Sequence, residues 1–556
     1  MKSWKKKALF SLLAIAPLVL TACGGEKAEE APTNQDGDII MTVGQQTAPN
    51  SKLPQGDSYS DNAYRRLVKE KLGVELESSF EANGDDYNRQ VSLAIASGDI
   101  PDMMVVGRDE LEELAANDLI ADLTDIYAEH ASEYIKEIYQ SFDNVQLNAA
   151  TIDDRLMALP GTANDFGPNL VWVRQDWLDK LNIKLDEDGN QAITLDELET
   201  TAKAFQEKDA GGTGKTKGIA FANWLTSDNH GGSGYTATAI LNAFNAYPKT
   251  YLENEKGELV YGSNTSEMKE GLTYLKNWFD EGVLDAQFGT RTYDDINAMM
   301  VNGELGIIPG PWHMPDWALV QARTTNPNAE FTPFAIEDKD GKVNGVAKPG
   351  VGNFVVVRKG FEKPELVVEM IDLIFDEVAN SKDIENEFPE IYQYMKQAVD
   401  GSVRPVNIEM FKNLSEIDDA VIASNAALGE TNIEDIDSFT VKNNANKIKS
   451  YLDNPKEADP TDWAVYASRL LAVDNVMNGV RQNGSFNEIH PIAIFEKIKA
   501  NERNGAQVAK IEEETFIKFV TGEESVDNFD GYVEKWNQQG GQAILDEMST
   551  IIKENN

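Results

Sequence analysis

Asp186, Asp188, Asn190 and Glu197 carry side-chain oxygens at positions 1, 3, 5 and 12 of the run Asp186–Glu197. That is the ligand spacing of an EF-hand calcium loop. Position six, where the loop usually places a glycine for its sharp turn, is Gln191. The same residues have a competing use: a β-turn on Asp188-Gly189, then a helix opened by a capping box between Thr194 and Glu197. Glu197 cannot readily serve as both metal ligand and helix cap, so calcium is at most a structural addition and no cofactor is required. A second run, Asp209-Ala210-Gly211-Gly212-Thr213-Gly214-Lys215-Thr216, ends like a phosphate-binding P-loop. It has Asp209 where that motif needs its first glycine, and it follows a helical stretch rather than a strand, so no nucleotide site is expected. His130, His230, His313 and His490 lie far apart and form no zinc-binding pair. The 94 acidic residues leave a hydrolytic carboxylate pair open as an alternative.

The only cysteine, Cys23, follows Lys2, Lys5, Lys6 and Lys7 and an apolar run from Ala8 to Leu20. A charged segment, a short apolar segment and small residues before a cut describe a secretory signal. The run is shorter than the roughly 20 residues that span a bilayer, and Pro17 interrupts it. Leu20-Thr21-Ala22-Cys23 resembles the lipobox of bacterial lipoproteins. The resemblance implies that residues 1–22 are removed and that acylated Cys23 anchors the chain to the lipid bilayer, on the extracellular face of the cell membrane. Residues 23–38 read as a flexible tether.

Fifty basic against 94 acidic residues give a net charge of −44, which repels nucleic acid and excludes it as a partner. The 534 residues left after removal of 22 from 556 exceed one ordinary core, so two or three domains are expected. Short apolar strands at 39–43, 73–77 and 103–106 alternate with helical patterns near 63–72 and 87–96, the signature of an α/β sheet. From about Asp376 the chain is mostly helix-like. No (β/α)₈ periodicity appears.

Five stretches, in order, resemble extracellular solute-binding proteins of sugar ABC importers: Ala96–Asp102; Leu170-Val171-Trp172, Arg174, Asp176-Trp177-Leu178; Asn302–Trp312; Lys348–Val357; and Asn528–Gly541. The resemblance implies an α/β, two-lobed periplasmic-binding-protein-like fold (type II). Its lobes are joined by crossover strands near Ala158–Thr162, Ile308–Pro311 and Gly350–Phe354, with a helical C-terminal extension. The expected division is 39–160 and 309–350 in the first lobe, 161–308 and 351–556 in the second. Gly161, Gly310, Gly350 and Gly352 are candidate hinge positions.

The same resemblance implies a non-enzymatic function: capture of an oligosaccharide in the interlobe cleft and delivery to membrane ABC permease subunits by a monomeric protein. Alternatives are a peptide or other solute in the same fold, or a surface glycoside hydrolase or lyase. A pyranose offers apolar C–H faces and a hydroxyl edge, matched by aromatic platforms and a few polar groups. Trp312 is the expected stacking platform, with Trp224, Trp172, Arg174, His313 and Asn229 as further ligand-binding candidates. Trp177 and Trp278 read as helix-face core.

Overall fold

A computed structural model describes residues 32–48, 52–163, 167–226, 234–254, 256–347 and 350–555. In chain order its principal strands are β1 (Ile39–Thr47), β2 (Val74–Asn83), β3 (Met103–Val106), β4 (Leu159–Thr162), β5 (Leu170–Arg174) and β6 (Ala192–Ile193). They continue with β7 (Lys217–Ile219), β8 (Leu305–Gly310), β9 (Phe331–Ile336), β10 (Val343–Val346), β11 (Val351–Val357) and β12 (Phe486–Ile489).

Two five-stranded sheets define two lobes, with strand orders β2-β1-β3-β11-β4 and β6-β9-β5-β8-β7. In the first, β1 pairs parallel with β2 and β3, and β11 runs antiparallel between β3 and β4. Its inner strand β3 is apolar and buried at every position, as a strand covered on both faces must be. Helix α1 (Ala63–Leu72) flanks this sheet; the Asn62 side chain accepts the N–H groups of Tyr64 and Arg65, and Gly73 ends the helix at φ 63°. In the second sheet β5 is antiparallel to both β8 and β9, and β7 is parallel to β8.

The cores do not mix. The first draws on residues 41–159 and 354–410, the second on 170–343 and 451–548. This division differs from the one read off the sequence. β8 and β9 belong to the second sheet and β11 to the first, so residues 309–346 do not return to the first lobe, whereas 351–410 do. Ile308–Pro311 is therefore not a crossing. The chain passes between lobes at 162–170, at 346–351 and again near 411–415, where Thr162 Oγ1 accepts the Phe411 N–H and Ser141 Oγ accepts the Asn413 N–H. An apolar strand shows that it will be buried; it does not show in which of two sheets.

Two crossings meet at glycines. A side chain on Gly352 would press on the Gly161 backbone at 3.1 Å, and Gly350 holds φ 66° against Phe142. Gly310 lies at the end of β8, inside the second lobe, rather than at a hinge. Beyond the last crossing the chain is helical apart from β12. Helix α2 (Ser415–Ala427), the helix Phe439–Asp453 and a wide π-type turn sequence over Tyr466–Asn478 pack on one another and on β9. The helices Lys499–Thr521 and Gln542–Asn555 close the other side of the second core. Among the described residues no helix is long and apolar enough to cross a membrane.

Candidate functional site

Strand direction locates the place where the lobes face each other. β5 begins at Leu170, just after the first crossing. β8 and β9 run against it, so their carboxyl ends lie beside that crossing: Gly310 pairs with Leu170 and Phe334 with Val171. β7, parallel to β8, ends at the same edge. In the first lobe β4 leaves toward the crossing and β3 shares its direction. Both sheets thus direct their exit loops at each other, where open α/β sheets build ligand sites.

The exit of β8 carries an unbroken line of rings. Gly310 permits Met314 to fold back over the strand end, since a Cβ there would collide with the Met314 sulfur. Pro311 O accepts the Trp172 indole N–H at 3.1 Å, which fixes the turn. Trp312 meets His313 edge-on at 5.2 Å, and His313 lies 6.4 Å from Trp317. The Trp317 indole N–H donates to His313 Nδ1 at 3.0 Å. Trp317 stacks on Tyr293 at 6.2 Å and 18°, and Tyr293 touches Tyr235 at 5.3 Å. Tyr235 is buried; the other four rings are half-buried, and Trp312, Trp317 and Tyr293 pack against the second core. Trp224, past the end of β7, is half-buried on the same cluster. Its loop is tied in by Ala222 N–H to Tyr235 O and Asn223 N–H to Arg291 O.

Charged groups from a distant part of the chain adjoin the line. The Arg469 guanidinium lies over the Trp312 ring at 5.0 Å. It pairs with Asp316 and, at 3.6 Å, with Glu416. Asp316 also accepts from Ser468 Oγ at 3.0 Å. Glu416 and Asp419 lie one turn apart on α2. Burial raises the Glu416 carboxyl above the usual range, with Arg469 opposing and Asp316 adding. Asp419 is exposed, yet crowding by surrounding protein, then Glu416 and Asp418, pushes its carboxyl up to about 6. From the first lobe the exit of β1 contributes Gln46, whose Oε1 accepts from Asn407 Nδ2 at 3.1 Å.

The expected site residues separate. Trp312, His313 and Trp224 lie on the aromatic edge just described. Trp172 is fully buried, with its N–H spent on Pro311, and has no face toward a cleft. Arg174 is also buried, forked onto Asp176 at 2.7 and 2.6 Å between Trp177 and Phe331. Both side chains became candidates because β5 follows a crossing, but an inner strand points its side chains into packed layers. Trp177 and Trp278 are buried core residues. Asn229 and Cys23 lie outside the described residues. Trp317, Tyr293, Arg469, Glu416 and Asp419 were not picked out. Trp317 stands five residues past Trp312, a signal in plain view; the others are brought in by long-range packing.

The EF-hand-spaced loop makes its sharp turn at Gln191, φ 71°, with Asp186 Oδ1 accepting the Gln191 N–H. Its ligand groups are nevertheless engaged elsewhere. Glu197 closes the capping box with Thr194 through contacts of 2.9 and 2.8 Å, and the Asn190 amide donates to Asp188 and Glu337. Among the described residues no three acidic, His or Cys groups converge on a metal position. In the P-loop-like run the Asp209 carboxylate accepts the Gly214 N–H at 3.0 Å and the Thr216 hydroxyl. A carboxylate already occupies the cradle a phosphate would need.

A sequence profile described as "Bacterial extracellular solute-binding protein" matches residues 63–359, more than half of the chain. The chain belongs to that family. This solute-binding protein is 23% identical to the polygalacturonan/rhamnogalacturonan-binding protein YtcQ of Bacillus subtilis, over 99% of each chain. It is 20% identical to the lipoprotein LipO of the same organism, over 97% of each. Among solved structures, an HMO-binding, ABC-transporter-associated solute-binding protein from Bifidobacterium longum infantis superposes with a TM-score of 0.57 at 14% identity. That match covers 92% of this chain and 98% of the other. The last likeness establishes the two-lobed fold. Membership makes this an extracellular binding protein rather than an enzyme.

Proposed function

We propose that this protein captures an oligosaccharide between its two lobes and delivers it to the membrane subunits of an ABC importer, held at the outer membrane face by a lipid on Cys23. The observation that carries the reading is the line Trp312–His313–Trp317–Tyr293 beside the exit of β8. Broad, half-buried rings suit the C–H faces of successive sugar units, and the Trp and Tyr polar tips suit their hydroxyls. The likeness to the polygalacturonan/rhamnogalacturonan-binding YtcQ and to the HMO-binding Bifidobacterium protein supports the same class. A line of rings, rather than a single pocket, fits several sugar units better than one. Gly161, Gly350 and Gly352 at the crossings allow the lobes to close; the ligand drives closure only by its preference for the closed state.

Isothermal calorimetry of the purified protein against plant, microbial and host-type oligosaccharides, with peptides as controls, tests the proposal. Saturable binding of an intact oligosaccharide is expected. Binding of peptides alone, or appearance of cleaved sugar, refutes it.

A further inference from the structure

Among the described residues, the cation recorded over the platform ring is paired with carboxylates. Arg469, over the Trp312 face, pairs with Asp316 and also faces Glu416, and Asp419 stands one helical turn beyond. One guanidinium against Asp316 and Glu416 leaves negative charge in excess beside the ring, and Asp419 adds its field at Glu416 from the next turn. Arg469 gives one fork nitrogen to Asp316 and Ser468, and Asp316 and Glu416 together more than offset its charge. The raised Glu416 and Asp419 carboxyls report the same crowding: each already resists ionisation because of burial and of the others. The first-lobe cations near the last crossing are occupied too. Lys412 pairs with Glu137 at 2.6 Å, and Arg404 pairs with Glu409.

From this we infer that the site selects glycans without carboxylates and rejects polyuronates, unlike the ligand class named for the relative YtcQ. The inference rests on the oligosaccharide reading above and narrows it. A uronate stacked on Trp312 would bring its charge toward Asp316 and Glu416, the carboxylates paired with the guanidinium over that ring. At an effective dielectric near 20, each uncompensated like charge at roughly 8–10 Å weakens binding by about tenfold or more. A neutral pyranose meets the same carboxylates as hydrogen-bond acceptors for its hydroxyls.

The test uses matched ligands whose skeleton is constant and whose charge is not. Calorimetry of the purified protein compares oligogalacturonate with its fully methyl-esterified form, beside a panel of neutral oligosaccharides, at pH 7.5. Expected is binding at least tenfold tighter for the ester than for the acid, or binding confined to neutral glycans. Where the ester binds, the Glu416→Gln, Asp419→Asn double variant should narrow the ratio of ester to acid affinity by severalfold. Equal or tighter binding of the free acid overturns the inference and leaves the oligosaccharide reading standing. Failure of every carbohydrate to bind overturns the oligosaccharide reading, and the inference with it.

Discussion

Replacing Trp312 by alanine isolates the contribution of the platform. One side of the indole rests on the second core and Arg469 lies over the ring, so a ligand reaches only what remains open. A Trp side chain can bury about 150–250 Å², of which one face is roughly a third. At about 25 cal/mol per Å², withdrawing some 60–80 Å² of ring from water is worth about 1.5–2 kcal/mol. Truncation should therefore raise the Kd for the ligand found in the glycan screen by about ten- to thirtyfold. Trp312→Phe, which keeps a smaller ring, should lose about half as much in free energy. The assay is calorimetry at fixed ionic strength, with circular dichroism and thermal melting of both variants to establish that the second lobe is folded. Trp312 also packs against the cluster containing Ile417 and Met477, so a lower Tm is expected for the alanine variant. An unchanged Kd in a folded Trp312→Ala protein would refute the placement of the site at the β8 exit.

Asp372 supplies a pH signature. Burial, with Asp376 adding, outweighs the Ser132 N–H bond and pushes its carboxyl up to about 6. A folded-state value above the unfolded one means that the folded chain binds the extra proton, so stability falls as pH rises from about 4 to 6. Asp372→Asn should flatten that part of the Tm–pH curve and raise stability at pH 7 by about 1 kcal/mol, well under the full shift because the site is partly wet; an unchanged curve would contradict the assignment. Gly350→Ala, at φ 66° against Phe142 and the Ala163 carbonyl, should cost about 1–2 kcal/mol in chemical denaturation. Thr194→Ala should cost about 1 kcal/mol by removing the capping box. Calcium should shift the Tm of neither the parent nor Glu197→Gln, and a calcium-dependent rise in the parent alone would restore the EF-hand reading.

The α/β class and the capping box at Thr194–Glu197 were legible because each depends on a few neighbouring residues. Binary pattern and a hydroxyl three residues before a carboxylate are local facts. Trp312 was legible too, since an aromatic placed just past a buried strand end leaves the sheet by necessity. Sheet membership was not. β9 and β11 are both apolar and only 14 residues separate the end of one from the start of the other, yet they enter different lobes, because pairing partners lie more than 100 residues away in sequence. The same distance hid the site's charge. Arg469, Glu416 and Asp316 read singly as solvated side chains, and only the packing of α2 and the Tyr466–Asn478 segment against the β8 exit gathers them round one indole. Trp172 and Arg174 show the converse. Their types suit ligand contact, but an inner strand gave them to the core. Sequence alone determined which segments must be buried and which rings leave them. Tertiary structure decided which of those rings share an edge and what charge surrounds it, because Coulomb interactions and packing act through space and not along the chain.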